Sequence, residues 1–356
     1  MPGEKANIVL QKGVDAELGQ VLEAAPERIA PVCPVFTQCG GCNYQHAPYE
    51  FEKTAKVEIL REQLRRVGKI EYAGEIPIIA GPELGYRNRI QLHLKDRRFG
   101  FRAAGSHELV PISACPIASP RLNQAIADLE QRLTEPKFPH FIQSLELFTN
   151  ETDLQVNVLE TERPVAQWFY KSCGSVVGLD YPTPFGTFRV SPRSFFQVNR
   201  FLLEDLVRLA VPEEGGATAL DLYAGVGLFA LPLAAKFKKV TAVESGTTAS
   251  RDMQFTEERA GVRVEGVNAR VEDYLERIKS APDFVLADPP RAGLGKAVVG
   301  HLNRLAPRRI TIVSCDPATL ARDLAGLKNY RIEKITMVDL FPRTYHLETV
   351  VALRFL

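Results

Sequence analysis

From residue 191 onward the sequence alternates short apolar runs with helical spacings, and no other feature constrains the fold as much. A helix over 200–210 leads into a strand at 219–222, a helix at 228–236 and a strand at 239–243. Further strands are expected at 284–287 and 309–314, each with a helix after it. Strand–helix repetition of this kind yields an open, mostly parallel sheet with helices on both faces, because parallel neighbours need a crossover connection. The last two strands, 330–341 and 349–355, lie close enough in the chain to pair antiparallel.

The preceding hundred or so residues read differently. Apolar residues at Phe51, Val57, Leu60, Leu64 and Val67 have helical spacing, and the run stops at Gly68. Short alternating runs at 89–94, 98–102, 144–149 and 154–159, interrupted by a helix at 119–133, describe an antiparallel α+β block. Residues 1–30 are poor in apolar residues and suggest a loose lead-in with one strand near 20–24. The chain thus divides into a lead-in (1–30), an α+β region (31–190) and an α/β region (191–356).

A net charge of +1 excludes a general polyanion binder, but the charge is uneven. Between residues 51 and 102 twelve Lys and Arg face seven acids, enough for a local phosphate-facing patch. No apolar run has the length of a membrane span, and no secretory signal pattern opens the chain. A cytoplasmic setting is expected, in which the six cysteines remain reduced and serve as metal ligands, catalyst or core.

Ligands of open α/β sheets bind at the carboxyl ends of the strands, and four features fall there. Asp221-Leu-Tyr-Ala-Gly225-Val-Gly227 follows an apolar strand, with glycines that allow a sharp turn and close approach to a ligand. Glu244 ends the next strand, where a carboxylate accepts from both hydroxyls of a ribose. Asn268 follows a short strand, with an amide suited to an adenine edge, and Asp288-Pro-Pro-Arg291 aims an acid into the crevice. One such feature per strand, in order, fits an adenosyl ligand.

With Ser194-Phe-Phe-Gln197-Val-Asn199, Ser314-Cys315-Asp-Pro-Ala-Thr-Leu-Ala-Arg-Asp323 and Phe341-Pro-Arg-Thr-Tyr-His-Leu-Glu348, these motifs resemble the RNA uracil-5-methyltransferase family from about residue 19 to the C terminus. The resemblance implies a class I, Rossmann-like methyltransferase domain preceded by an antiparallel α+β domain. It also implies that Gln197, Tyr223, Glu244, Asp288 and Asn268 contact S-adenosylmethionine. Some members carry a polar residue where this chain has Leu228, so that contact is missing.

Uracil C5 becomes nucleophilic only after something adds to C6, so the reaction needs a thiolate and, later, a base for the C5 proton. Cys315, just past an apolar strand, and Glu348 fill those roles in the motif. Asp316 would oppose thiolate formation, and Arg291 is the expected compensating cation. Cys173 has no such motif and reads as structural. Amino-methylating relatives follow their proline motif with an aromatic, where this chain has Arg291, and cytosine-5 RNA enzymes carry a cysteine beside it. A non-catalytic RNA-binding or ribosome-assembly factor is the rival reading, opposed by the intact pair Cys315 and Glu348.

Cys33, Cys39 and Cys42, with Cys115 downstream, supply four thiolates suited to zinc or an iron–sulfur cluster, and the five-residue gap is unlike paired zinc knuckles. The cluster-bearing branch of the family implies [4Fe-4S]. That branch also implies 23S rRNA as the substrate, with the tRNA T-loop second. Relatives often begin with a small RNA-binding barrel, of which 19–31 resembles only the last strand and linker; a complete barrel is not expected. Phe195, Phe196, Tyr345 and His346 are candidates to stack on RNA, and Tyr86, Arg87, Arg89, Arg97 and Arg98 to contact phosphate.

Overall fold

The structure, a computed structural model, describes residues 1–10 and 16–356. The lead-in holds two strands where one was expected, β1 (Lys5–Leu10) and β2 (Ala16–Glu23), paired antiparallel. Helix α1 (Tyr49–Arg66) and a two-residue strand β3 (Ile78–Ile79) follow. Next come β4 (Arg89–Lys95), β5 (Arg98–Arg102), β6 (Leu109–Pro111), α2 (Pro120–Arg132), β7 (Ile142–Thr149) and β8 (Leu154–Thr161). The five strands form one antiparallel sheet in the order β6-β5-β4-β7-β8, with α2 packed against it. Ser119 starts α2 by accepting from Leu122 N at 3.4 Å, and Pro120 occupies a position that needs no amide donor.

A short helix α3 (Gln167–Ser172) and the hairpin β9 (Leu179–Thr183) and β10 (Gly186–Val190) lead to α4 (Leu203–Ala210). The α/β region then runs β11 (Gly216–Leu222), α5 (Ala230–Ala234), β12 (Phe237–Glu244), α6 (Thr247–Ala260), β13 (Glu265–Asn268) and α7 (Val271–Arg277). It continues with β14 (Phe284–Ala287), α8 (Gly295–Leu305), β15 (Arg309–Ser314), α9 (Pro317–Gly326), β16 (Tyr330–Val338) and β17 (Glu348–Phe355). The sheet order is β13-β12-β11-β14-β15-β17-β16-β3. All four residues of β14 are buried, as a central strand covered on both faces requires.

Two features of this sheet lie beyond the local pattern. Strand β17 inserts between β15 and β16, antiparallel to both. Strand β3 adds to the far edge beside β16, and α1 lies on the same sheet, with Leu60, Leu64 and Ile76 in the core formed by Val285, Ile310 and Leu320. Although α1 and β3 precede the antiparallel block, they pack on the α/β half, because their apolar side chains complete that core.

Candidate functional site

The sheet order brings the motif residues to one edge in lateral sequence. Asn268 ends β13, Glu244 ends β12 and Tyr223 follows β11; Asp288 follows β14, Cys315 follows β15, and Glu348 opens β17. Strand order reverses between the parallel neighbours β11 and β14, where a crevice opens in such sheets. Neighbouring strands stand about 4.8 Å apart, so the edge lays a strip of functional groups across six strands.

On the β12–β11 side the groups are ordered by backbone hydrogen bonds. Glu244 accepts from Gly225 N at 2.9 Å and Gly246 N at 2.5 Å, which ties the strand end to the glycine turn. Gly225 sits at φ +56°, and a side chain there would meet nothing within 4 Å, so the turn leaves its ligand-facing side open. Tyr223 holds φ +63°, a left-handed conformation that a tyrosine adopts only under local constraint. A small cavity of about 40 Å³ is lined by Phe195, Gln197, Tyr223, Gly225 and Asp288 among others, so four of the cleft residues read from the sequence share one wall.

Asn268 stands apart from that wall. Its amide nitrogen donates to Glu244 O, Ser245 O and Ser250 Oγ at 2.9 to 3.1 Å, and it braces the turn after β12.

The β14–β15–β17 side is built by register. Ser314 pairs with Thr349, so Cys315 follows the last paired residue of β15 and Glu348 precedes its partner on β17, near enough for the Glu348 charge to act on the thiol. Glu348 is 4% exposed and its Oε1 has no hydrogen-bond partner among the described residues. Burial pushes the Glu348 carboxyl well above the ordinary range, and the Asp288 charge pushes it further. Burial likewise raises Asp288. The Cys315 thiol is pushed up to about 11 by burial, with Glu348 and Asp288 adding to the shift and Arg291 opposing it.

Asp316 does not have the role expected for it. Its carboxylate caps α9 by accepting from Thr319 N at 2.8 Å, and the charges that oppose thiolate formation are those of Glu348 and Asp288. Arg291 is exposed and its Nη2 lies 3.2 Å from His346 Nε2. Burial, then Arg291, holds His346 down at about 4, so the imidazole is neutral at physiological pH.

Several expectations for RNA contact change. Phe196 is core, whereas Phe195 is 60% and Tyr345 55% exposed. Tyr86 is fully buried, its hydroxyl donating to Pro342 O at 3.0 Å. Arg89 is buried too: it donates to Ser194 O at 2.8 Å and lies over the Phe148 ring, so neither residue reaches a phosphate. Arg98 is exposed, as is Arg97, which also donates to Leu133 O at 2.9 Å. Cys173 packs against the antiparallel core, its sulfur 3.5 Å from Arg132 Nη1.

Cys33, Cys39, Cys42 and Cys115 line a second, larger cavity of about 570 Å³, together with Arg87, Arg102 and Tyr345. Among the described residues no three His, Cys, Asp or Glu side chains converge closely enough to hold a single metal ion. Burial raises the thiols of Cys39, Cys42 and Cys115, Cys42 to about 12, and the neighbouring cysteines add to the shift in each case.

Sequence reasoning missed the residues that hold the site loops. Buried Asp252 of α6 accepts from Ser191 N at 2.8 Å and from the hydroxyls of Ser191 and Ser194 at 2.6 Å, fixing the start of the Phe195–Gln197 segment. The only signal was an acid on the inward face of a helix. Arg343, inside the last motif, is buried and holds φ +69°.

Comparison with known proteins is consistent with this edge. A family model described as tRNA (Uracil-5-)-methyltransferase matches residues 253–355. A 23S rRNA (uracil(1939)-C(5))-methyltransferase, RlmD, from Pectobacterium atrosepticum is 32% identical over 98% of this chain and 86% of its own length. A protein of Thermosynechococcus vestitus described as an uncharacterized RNA methyltransferase is 31% identical over 99% of this chain and 91% of its own. The crystal structure of the Pyrococcus abyssi tRNA (uracil-54, C5)-methyltransferase with S-adenosyl-L-homocysteine superposes with a TM-score of 0.74. It is 26% identical and covers 98% of this chain and 91% of that one. With such identity to its relatives over nearly its whole length, the chain belongs to the RNA (uracil-5-)-methyltransferase family of enzymes.

Proposed function

We propose that the protein transfers a methyl group from S-adenosylmethionine to C5 of a uridine in 23S rRNA, with Cys315 as nucleophile and Glu348 as base. The single observation that carries the reading is the β15–β17 register, which brings a half-buried thiol near a buried carboxyl whose Oε1 has no partner among the described residues.

The cleft suits an adenosyl cosubstrate, which supplies an electrophilic methyl group. Glu244 accepts from two backbone amides and is oriented to take ribose hydroxyls, while Gln197, Tyr223 and Asp288 line the adjoining cavity. Asn268 supports Glu244 through the turn.

Catalysis then follows from the protein's own groups. The Cys315 thiolate adds to C6 of the uracil, and the C5–C6 π electrons move toward O4. The resulting enolate attacks the methyl group through C5, and S-adenosylhomocysteine departs. Glu348, as carboxylate, takes the C5 proton; the C5–C6 double bond re-forms and the C6–S bond breaks, returning the thiolate. Arg291 favours the thiolate electrostatically. Exposed Phe195 and Tyr345 offer faces for a base swung out of the RNA.

A [4Fe-4S] cluster is the group proposed for the four cysteines, and their lining of one cavity supports it. Each iron of such a cluster takes its own thiolate, so the ligands ring a space instead of converging on one atom, as zinc would require. Their raised thiols need a strongly positive group to ionise together. Bound there, the cluster would supply a covalent tie between the 33–42 loop and Cys115.

Relatives named for 23S rRNA favour that substrate. A tRNA T-loop uridine is the second reading, favoured by the family model and by the Pyrococcus abyssi structure. Incubation with labelled S-adenosylmethionine and unmodified total RNA, followed by mapping of the labelled nucleotide, decides between them. Cys315→Ala should lose both methyl transfer and the denaturant-stable adduct with 5-fluorouridine RNA; full activity in that variant would refute the mechanism.

A further inference from the structure

The cysteine-bearing loop and the loop that carries Glu348 are joined by contacts that the chemistry above does not use. Arg343 lies five residues before Glu348 and is gripped on its backbone as well as its side chain. Its N donates to Glu52 Oε1 at 2.7 Å, and its O accepts from Asn43 N at 2.7 Å and Tyr44 N at 3.1 Å. The guanidinium donates to Ala47 O at 2.6 Å and pairs with Glu83 at 2.5 Å. Asn43, next to Cys42, also accepts from Tyr345 N through its side chain at 3.2 Å.

Behind this grip is a buried ionic core. Lys56 is fully buried between Glu52 and Asp339, at 2.7 and 2.8 Å, and also donates to Phe341 O at 3.1 Å. Tyr49 donates its hydroxyl to Asp339 at 2.7 Å. Residues 43–56 therefore supply much of the hold on segment 339–345, to which Ile79, Glu83, Tyr86 and Asn199 add one contact each. Left-handed backbone at a buried arginine persists only where surroundings over-determine it. Breaking a buried ion pair by removing one partner destabilises strongly, so such a network is a rigid element.

We propose that Arg343 and Asn43 are positioning residues that splint the Glu348 loop to the cysteine-bearing loop, so that placement of the base depends on the state of that loop. The proposal rests on the assignment of Cys315 and Glu348 made above. Its signature follows from the order of steps. A misplaced base leaves addition and methyl transfer intact but slows removal of the C5 proton. The methylated RNA then remains bonded to Cys315.

The test uses the full protein with unmodified RNA and methyl-labelled S-adenosylmethionine, reading turnover and labelled protein–RNA adduct on denaturing gels. Arg343→Gln is expected to lose about 100-fold in turnover, as small misplacements of reacting groups do, while labelled adduct accumulates above the wild-type level. Arg343→Lys should recover part of the loss. Asn43→Ala, at an exposed position, should show a smaller loss of the same kind. Cys42→Ser, with iron content measured in parallel, should also accumulate adduct.

Turnover lost without adduct in these variants, or wild-type turnover in both Arg343→Gln and Asn43→Ala, overturns the proposal. If Arg343→Gln does not fold, Asn43→Ala decides alone. A wild-type protein that forms no adduct with 5-fluorouridine RNA would instead bring down the underlying assignment, and the splint with it.

Discussion

The two halves of the sheet edge hold their carboxylates in opposite ways. Glu244, at the end of β12, is served by two backbone amides, and its geometry is set before any ligand arrives. Glu348, at the start of β17, is buried with an oxygen unpartnered among the described residues, beside Asp288 and Cys315. An acid that binds should be satisfied and ionised, whereas one that removes a proton gains from having nothing else to hold. One edge thus combines a preorganised half with an electrostatically frustrated half.

The sharpest way to break this contrast is at the frustrated acid. Glu348→Gln is nearly isosteric and replaces a buried acid whose Oε1 has no partner among the described residues, so the fold should persist. Turnover should fall by about 10²- to 10⁴-fold, the usual contribution of a general base, while label stays bonded to the protein. A variant that releases methylated RNA at the wild-type rate would remove Glu348 from the mechanism.

At the satisfied acid the effect should be smaller and of another kind. Glu244→Ala deletes acceptors for two backbone amides and for a ribose, so cosubstrate affinity should fall about 10- to 100-fold, the worth of a hydrogen bond to a charged group. Turnover at saturating cosubstrate should change far less. An equal drop in turnover with unchanged affinity would show that the two halves are not separable.

Much of this edge was legible before the structure. The apolar runs before Tyr223, Glu244, Asp288 and Cys315 are strands because they are buried on both faces, and burial leaves a composition that can be read locally. The insertion of β17 was not legible, since register is a property of two distant segments. That insertion is what brings Glu348 to Cys315. Nor was the buried state of Tyr86 and Arg89: a run of basic and aromatic residues looks alike whether it faces phosphate or supports Ser194 and Pro342. Phe195 and Phe196 show the same limit, one at the surface and one in the core. Arg343 lay in plain view within a motif, but its grip is made by residues some three hundred positions away.

pH sharpens the comparison further. The Cys315 thiol stands near 11, and the reaction needs the thiolate, so below that value the ionised fraction rises about tenfold per unit. The raised Glu348 carboxyl has the same sign, since the base also works deprotonated. Turnover under saturating conditions should therefore climb from pH 7 to 9, and Arg291→Met should lower it at pH 7 and move the rise upward. A flat profile over that range would mean that substrate binding, not the resting site, governs ionisation of the thiol.

The smallest effect concerns Asp221, which lies between the halves at the end of β11. It is fully buried, no described residue makes a well-formed hydrogen bond to either carboxyl oxygen, and burial, then Asp288 and Glu244, raise it well above the ordinary range against a smaller opposing effect of the Ala230 backbone amide. A carboxyl raised on folding binds its proton more tightly in the folded state. The associated stability is complete below the unfolded value, about 4, and is lost as pH rises toward the folded value. Asp221→Asn has no proton to lose, so it should melt higher than wild type at pH 8 and close to it at pH 4. A gain on the order of 1–3 kcal/mol is expected, the penalty of a buried unpaired polar group, or several degrees of melting temperature. If the asparagine variant melts lower at both pH values, the Asp221 carboxyl is satisfied in solution, and the frustrated half of the edge begins only at Asp288.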